Sequence, residues 1–253
     1  MKVTGMTLET FFRENPKVAI GFSGGVDSSY LLYAAKKYGA DIRPYYIKSA
    51  FQPAFEYEDA KKLAAQLGIE MVTIYHDVLK NPQVVANPAN RCYYCKSTLF
   101  SLLKERARED GYFVIIDGTN ASDDVSDRPG MKALEELSVK SPLREAGLTK
   151  TQIRQLSKEA GLFTWDKPAY ACLATRIPTN QTITREMLEK VEQAEGILME
   201  MGFSDFRVRV YHEAARIQWK EEEFATAVEK REEIREKLLP YFQVILFDTQ
   251  IRS

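Results

Sequence analysis

The run Gly21-Phe22-Ser23-Gly24-Gly25-Val26-Asp27-Ser28-Ser29 constrains this chain more than any other stretch. It closes a short apolar segment, Val18–Phe22, and opens an amphipathic helical pattern from Val26 to Tyr38. Two adjacent glycines let the backbone turn tightly and carry its N–H groups against an anion. Ser28 and Ser29 add hydroxyl groups at the positive end of the helix. Strand, glycine turn and helix therefore predict a phosphate cradle made by Ser23, Gly24, Gly25, Asp27, Ser28 and Ser29. The run is not a Walker loop, because no Gly-Lys-[Ser/Thr] follows, and its glycine spacing misses the dinucleotide fingerprint. A plain helix cap would account for one Gly and one Ser but not for the whole run.

Further strands are expected at Arg43–Ile47, Glu70–Tyr75 and Phe113–Asp117, with helices at Glu56–Leu67 and Tyr93–Glu109. That alternation is the sequence form of parallel βαβ units. A polar stretch, Ile177-Pro178-Thr179-Asn180, reads as a linker and predicts a division into residues 1–178 and 179–253. Beyond it the order changes to a helix at Thr184–Met201, strands at Phe206–Tyr211 and Arg216–Trp219, a charged helix at Glu221–Leu239 and a strand at Gln243–Asp248. The expected class is α/β, a Rossmann-like parallel sheet followed by a smaller α+β domain. With 253 residues, 45% of them hydrophobic, the chain is able to bury a real core. Lys+Arg 35 against Asp+Glu 36 leaves a net charge of -1, so neither a nucleic acid nor an anionic membrane is expected as partner. Glu9, Arg13 and Glu14 interrupt the start where a signal peptide needs an apolar run, and three cysteines fit a reducing compartment, so the expected place is the cytoplasm.

Several other segments are rich in polar and turn-forming residues. Asp117-Gly118-Thr119-Asn120 ends the fourth expected strand, where ligands of open α/β sheets gather, and makes Gly118, Thr119 and Asn120 candidate nucleotide contacts. Downstream come Asp123-Asp124-Val125-Ser126-Asp127-Arg128-Pro129-Gly130, then Ser141-Pro142-Leu143-Arg144-Glu145, then Lys167-Pro168-Ala169-Tyr170-Ala171-Cys172-Leu173-Ala174-Thr175-Arg176-Ile177-Pro178. Upstream stands Asn90-Arg91-Cys92-Tyr93-Tyr94-Cys95-Lys96. Polar turns without any ligand have the same composition. So many of them beside a phosphate cradle favour a site.

Ser23-Gly24-Gly25-Val26-Asp27-Ser28 resembles the SGGxDS loop of the PP-loop ATP pyrophosphatases. That resemblance implies cleavage of ATP between its α and β phosphates, transfer of AMP to a substrate oxygen, and a requirement for Mg²⁺, with Asp27 organising the metal or the loop and Ser28 sharing in catalysis. The order of the remaining segments resembles, over essentially the entire chain, the LarE family of ATP-dependent sulfur transferases. The family resemblance implies a small-molecule acceptor, a pyridinium biscarboxylate mononucleotide, adenylated and then thiolated on each carboxylate for the nickel-pincer nucleotide cofactor. It further implies sulfide or another sulfur donor, and a homo-oligomer is expected.

Cys92 and Cys95 form a Cys-x-x-Cys pair and Cys172 stands alone. A redox disulfide, a structural zinc and three inert thiols are each compatible with that spacing, though zinc lacks a nearby fourth ligand because only His76 and His212 exist. The resemblance adds a fourth reading, a [4Fe-4S] cluster held by Cys92, Cys95 and Cys172 with one iron open to sulfide. In the competing branch of the family the cysteine corresponding to Cys172 gives up its own sulfur. Arg176, Arg207 and Arg209 are candidates to clamp the substrate phosphate or carboxylates, with Glu195 beside them. The competing reading for the arginines and for Glu195 is ordinary solvated charge. An amidating PP-loop ligase, a tRNA thiolation enzyme and a non-catalytic nucleotide sensor are the rival functions.

Overall fold

A computed structural model of the protein describes residues 6–123 and 129–252. Its elements are α1 (Leu8–Glu14), β1 (Lys17–Gly21), α2 (Val26–Lys37), β2 (Asp41–Lys48), α3 (Ala54–Gln66), β3 (Val72–Tyr75), α4 (Pro82–Val85), α5 (Arg91–Glu109) and β4 (Val114–Ile116). There follow α6 (Pro129–Glu136), α7 (Pro142–Glu145), α8 (Lys150–Glu159), α9 (Arg185–Glu200), β5 (Phe206–Tyr211), β6 (Ala214–Trp219), α10 (Glu221–Glu229), α11 (Arg231–Leu238) and β7 (Val244–Phe247). The chain divides into two compact units. One comprises the residues up to Asp77 together with Asn90–Ala169, the other Val78–Ala89 together with Tyr170 onward.

In the first unit four parallel strands lie in the order β3-β2-β1-β4. Val18 of β1 stands opposite Ile42 on one side and Val114 on the other. Val18, Ala19 and Ile20 are all fully buried, the pattern of a central parallel strand covered on both faces. Val18 and Ile20 join α1, α2 and α8 residues in one core layer, while Ala19 packs with Leu103 and Ala107 of α5 in the other. The chain runs outward from β1 to β2 and β3 and then returns to the far side of β1 as β4. The carboxyl ends of β1 and β4 therefore flank the topological switch point, where an open α/β sheet leaves a crevice for ligands.

The second unit carries a three-stranded sheet in the order β5-β6-β7. β5 and β6 form an antiparallel hairpin, and β7 pairs parallel to β6 after the two-helix crossover. Leu188, Val191, Ala194 and Leu198 line the buried stripe of α9. Trp219 is fully buried and packs its indole against Phe203, Phe206 and Phe247. The single helix expected at Glu221–Leu239 is two helices that meet at Lys230. Glu229-Lys230-Arg231-Glu232-Glu233 offers five consecutive charged residues and no side chain to anchor a continuous helix on the core.

The stretch Ile177–Asn180, expected as a linker, lies inside the second unit and is pinned there. Buried Asn87 adopts a left-handed φ of 53° and donates from its side-chain amide to the carbonyls of Ile177 and Pro178 at 3.3 and 2.8 Å. The Asn180 and Ile183 N–H groups donate in turn to the Asn87 and Val85 carbonyls. No helix among the described residues is long and apolar enough to cross a membrane.

Candidate active site

The loop between β1 and α2 is held open from below. Gly24 has φ +72°, and a Cβ there would sit 3.0 Å from Ala60 Cβ on α3, so only glycine fits both the backbone and the space. Gly25 caps α2 without a side chain, which leaves the first N–H groups of that helix for a ligand. Ser23 Oγ accepts from the Gly25 N–H at 3.3 Å and lies 3.1 Å from Ser28 Oγ, and Ser28 Oγ donates to the Gly25 carbonyl at 3.2 Å. The two hydroxyls thus brace the turn. Ser29, grouped with them in the sequence reading, is fully buried, and its hydroxyl has no hydrogen-bond partner among the described residues.

The turn after β4 meets this loop. A Cβ on Gly118 would lie 3.0 Å from the backbone nitrogen of Ser28, so glycine is what allows the two turns to close together. Asn120 Nδ2 donates to Asp27 Oδ1 at 3.3 Å. The buried Asp117 carboxylate accepts from the Thr119 hydroxyl at 2.5 Å and from the Ser141 hydroxyl at 2.7 Å, and so fixes the turn from beneath. Asp123 Oδ2 accepts from the Asn120 N–H at 3.0 Å. Asp124, Val125, Ser126, Asp127 and Arg128 of the same acidic segment lie outside the described residues.

Lys150 is a member of this group that the sequence reading missed. Its ammonium pairs with Asp27 Oδ2. It occupies the first position of α8, within the Thr149–Gln152 capping box, where a cation opposes the helix dipole. That misfit was the available signal. A lysine placed against the dipole beside an anion site has a reason to be there only if a negative charge faces it.

A second polar group is buried in the other unit. Arg176 and Glu195 are each 1% exposed and form a two-pronged pair, Nε to Oε1 at 2.8 Å and Nη2 to Oε2 at 3.0 Å. Arg176 Nη1 also donates to the Ala171 carbonyl at 2.9 Å, which fastens the turn headed by Cys172. Tyr170 donates its hydroxyl to Glu195 and lays its ring under the guanidinium groups of Arg176 and Arg207, 4.6 and 5.1 Å from the ring centre. Burial and then the Glu195 carboxylate push the Tyr170 phenol up, so it stays a donor. Arg207 is buried and Arg209 half-buried rather than solvated, the latter donating to the Thr175 carbonyl at 2.9 Å. Burial, followed by the nearby Arg176 and Arg252 charges, lowers Arg207 to about 10. Arg209 is lowered by burial and then by Arg176, Arg216 and Arg252.

Cys92 and Cys95 occupy the first turns of α5 three residues apart, hence on one face of the helix. Cys92 is exposed and its sulfur accepts from Arg91 Nη2 at 3.7 Å, while Cys95 is partly buried. Cys172, also partly buried, belongs to the second unit, where its carbonyl accepts from the Thr175 N–H and hydroxyl. Among the described residues no three His, Cys, Asp or Glu side chains come together as a metal-binding group.

A parallel sheet with an uncapped, serine-braced glycine loop at its switch point defines an ATP-handling protein of the PP-loop class. In agreement, the asparagine synthase family model matches residues 9–238. An uncharacterised protein of Synechocystis is 39% identical over 83% of this chain and 79% of its own length. The pyridinium-3,5-bisthiocarboxylic acid mononucleotide synthase of Lactiplantibacillus plantarum is 32% identical over 84% of this chain and 78% of its own. An uncharacterised protein of Methanocaldococcus jannaschii is 29% identical over 94% and 91%. The chain belongs to the LarE family of ATP-dependent sulfur transferases.

Proposed function

We propose that this protein uses ATP and Mg²⁺ to adenylate the carboxylates of a pyridinium biscarboxylate mononucleotide and then converts them to thiocarboxylates on the way to the nickel-pincer nucleotide cofactor. The observation that carries this reading is the 32% identity, over most of both chains, to a synthase of the bisthiocarboxylic acid mononucleotide. A carboxylate oxygen of the acceptor attacks the α-phosphorus of ATP, the bond to the bridging oxygen breaks, and pyrophosphate leaves with the electron pair. The open N–H groups at the start of α2, with the Ser23 and Ser28 hydroxyls and Ser29 behind them, receive that charge. Asp27 would hold Mg²⁺ or the loop, the metal when bound would supply positive charge to the phosphates, and Lys150, paired with Asp27, adds a cation beside the same loop. Gly118, Thr119 and Asn120 close the nucleotide side. In the second unit Arg207 and Arg209, shaped by Arg176 and Glu195, hold the acceptor's anionic groups. A sulfide sulfur then attacks the adenylated carbonyl carbon, and AMP departs with the former carboxylate oxygen.

We further infer an iron–sulfur cluster as the sulfur carrier; what supports it is the chemistry of the donors, three thiols of which two stand one helical turn apart on α5. Cys92, Cys95 and Cys172 would hold it, and when bound it supplies an iron without a protein ligand for the incoming sulfide. Anaerobic reconstitution tests this reading. About four irons per chain are expected, each Cys→Ala variant should lose them, and more than one acceptor equivalent should be thiolated per chain. A single sulfur transferred by iron-free protein, with Cys172 shortened by the mass of hydrogen sulfide, would put the sacrificial route in its place. Pyrophosphate release that responds to ammonia or to tRNA, and not to the mononucleotide, would overturn the substrate assignment.

A further inference from the structure

Lys167, five positions before Cys172, is fastened to the first unit through every polar group it has. Its N–H donates to the Thr164 carbonyl at 3.2 Å. Its own carbonyl accepts from Arg154 Nη2 of α8 at 2.8 Å, and Arg154 Nη1 holds the Trp165 carbonyl at the same distance. Its ammonium donates to Asp59 Oδ2 on α3 at 2.7 Å. The lysine side chain is 13% exposed and the aspartate 33%, so solvent screens this pair less than an open surface one.

The anchor has chemistry on both sides of it. Asp59 is followed on α3 by Ala60, whose nitrogen, Cα and Cβ stand 3.0 to 3.1 Å from where a Cβ on Gly24 would be. The turn of α3 that receives Lys167 is therefore the turn on which the phosphate loop rests. In the other direction the chain leaves the first unit after Ala169, and Cys172 follows. Pro168 fixes its own φ and keeps Lys167 out of helical backbone, so the direction set at the anchor carries on into this arm. Five residues span at most about 18 Å, which makes the anchor point a bound on where the Cys172 sulfur is able to go.

We propose that the Lys167–Asp59 pair is a latch that registers the arm bearing Cys172 against the phosphate loop, so that sulfur delivery depends on it and adenylation does not. This rests on Cys172 handling the sulfur, whether in a cluster or as its own, and it makes Lys167 and Asp59 positioning residues. A displacement of about 1 Å at the reacting atom costs up to about 10² in rate even when its cause is remote. Adenylation joins the acceptor to ATP on the loop and needs no atom of the arm, so it is spared.

The test uses the full chain, reconstituted anaerobically and supplied with ATP, Mg²⁺, sulfide and the pyridinium biscarboxylate mononucleotide, with pyrophosphate and thiocarboxylate measured in the same reaction. Asp59→Asn and Lys167→Met should each lower the thiocarboxylate formed per pyrophosphate at least about tenfold, with pyrophosphate release within about twofold of wild type. Lys167→Arg should keep most of the wild-type ratio. Asp59→Asn/Lys167→Met should lose no more than either single variant, because the two groups act as one. In metal-free protein, hydrogen exchange over residues 166–172 should quicken in both single variants and stay at the wild-type rate in Lys167→Arg. A wild-type ratio in the single variants, an equal fall in pyrophosphate and thiocarboxylate, additive losses in the double variant, or unchanged exchange overturns the proposal. Full thiolation by Cys172→Ala overturns the reading of that thiol, and wild-type protein that releases no acceptor-dependent pyrophosphate overturns the reading of the reaction. Thermal melting of each variant separates these outcomes from misfolding.

Discussion

Asp27 carries two burdens that a single substitution separates. Its carboxylate holds Asn120 and Lys150 in the free protein, and it stands in the first turn of the helix that points at the phosphates. Asp27→Ala and Ser28→Ala should each lower substrate-dependent pyrophosphate release by ~10²–10³, the usual effect of removing a preorganised charge or donor from such a site. Melting temperature should change little, since a lost hydrogen bond or partly exposed ion pair costs only about 1 kcal/mol. Pyrophosphate release at the wild-type rate in either variant would reduce the loop to a helix cap. The residues of the loop were readable from sequence because glycine and serine have few other reasons to crowd a strand-to-helix turn. Lys150 was not, because its partner lies 123 positions away and nothing local marks the pairing except its poor fit to the dipole.

Among the elements, the loop before α2 and the hairpin strand β5 respond to different physics. Gly24→Ala must either abandon the left-handed backbone or push α3 away at Ala60, at a cost of roughly 1–2 kcal/mol from the backbone alone. ATP affinity should fall with it, measurable by equilibrium dialysis, whereas an unchanged affinity would show that the loop's shape is not what binds. In β5, Arg207 and Arg209 alternate with valines, a pattern that reads as one dry and one wet face. The wet face is in fact covered by Tyr170 and the Thr175 carbonyl, contacts between positions more than 30 apart that no periodicity reveals. Glu195 shows the same limit. Its place on α9 follows from the helical stripe, but only the fold brings Arg176 to it. Glu195→Ala leaves a buried guanidinium unmatched and should destabilise the protein by ~3–5 kcal/mol, read as a shift in urea midpoint. Loss within the range of a surface substitution would mean that Arg176 finds another partner.

The whole molecule is organised around a detour. The parallel α/β class was legible from the alternation of apolar segments, but the membership of Val78–Ala89 in the second unit was not, because it depends on pairing with chain that follows some 90 residues later. Val78 and Val84 are fully buried in that unit, and Asn87 clamps Ile177 and Pro178. A fragment spanning 170–253 alone should therefore unfold without a cooperative transition. Adding residues 78–89 as a separate peptide should restore some of it, as followed by near-ultraviolet circular dichroism of Trp219. A sharp transition in the bare fragment would show that the detour is dispensable.

The detour also has a timetable. A nascent chain emerges in order, so Val78–Ala89 leaves the ribosome well before Tyr170 and the strands it must join. At ~5–20 residues per second, the intervening stretch alone keeps Val78 and Val84 waiting for several seconds, uncovered by the neighbours that will bury them. The first unit is not delayed in the same way, since its four strands are all translated by Ile116. Synthesis therefore passes through a stage with one sheet complete and an apolar strap still unclaimed. In that interval Val78 and Val84 are apolar surface still without the cover they have in the folded protein.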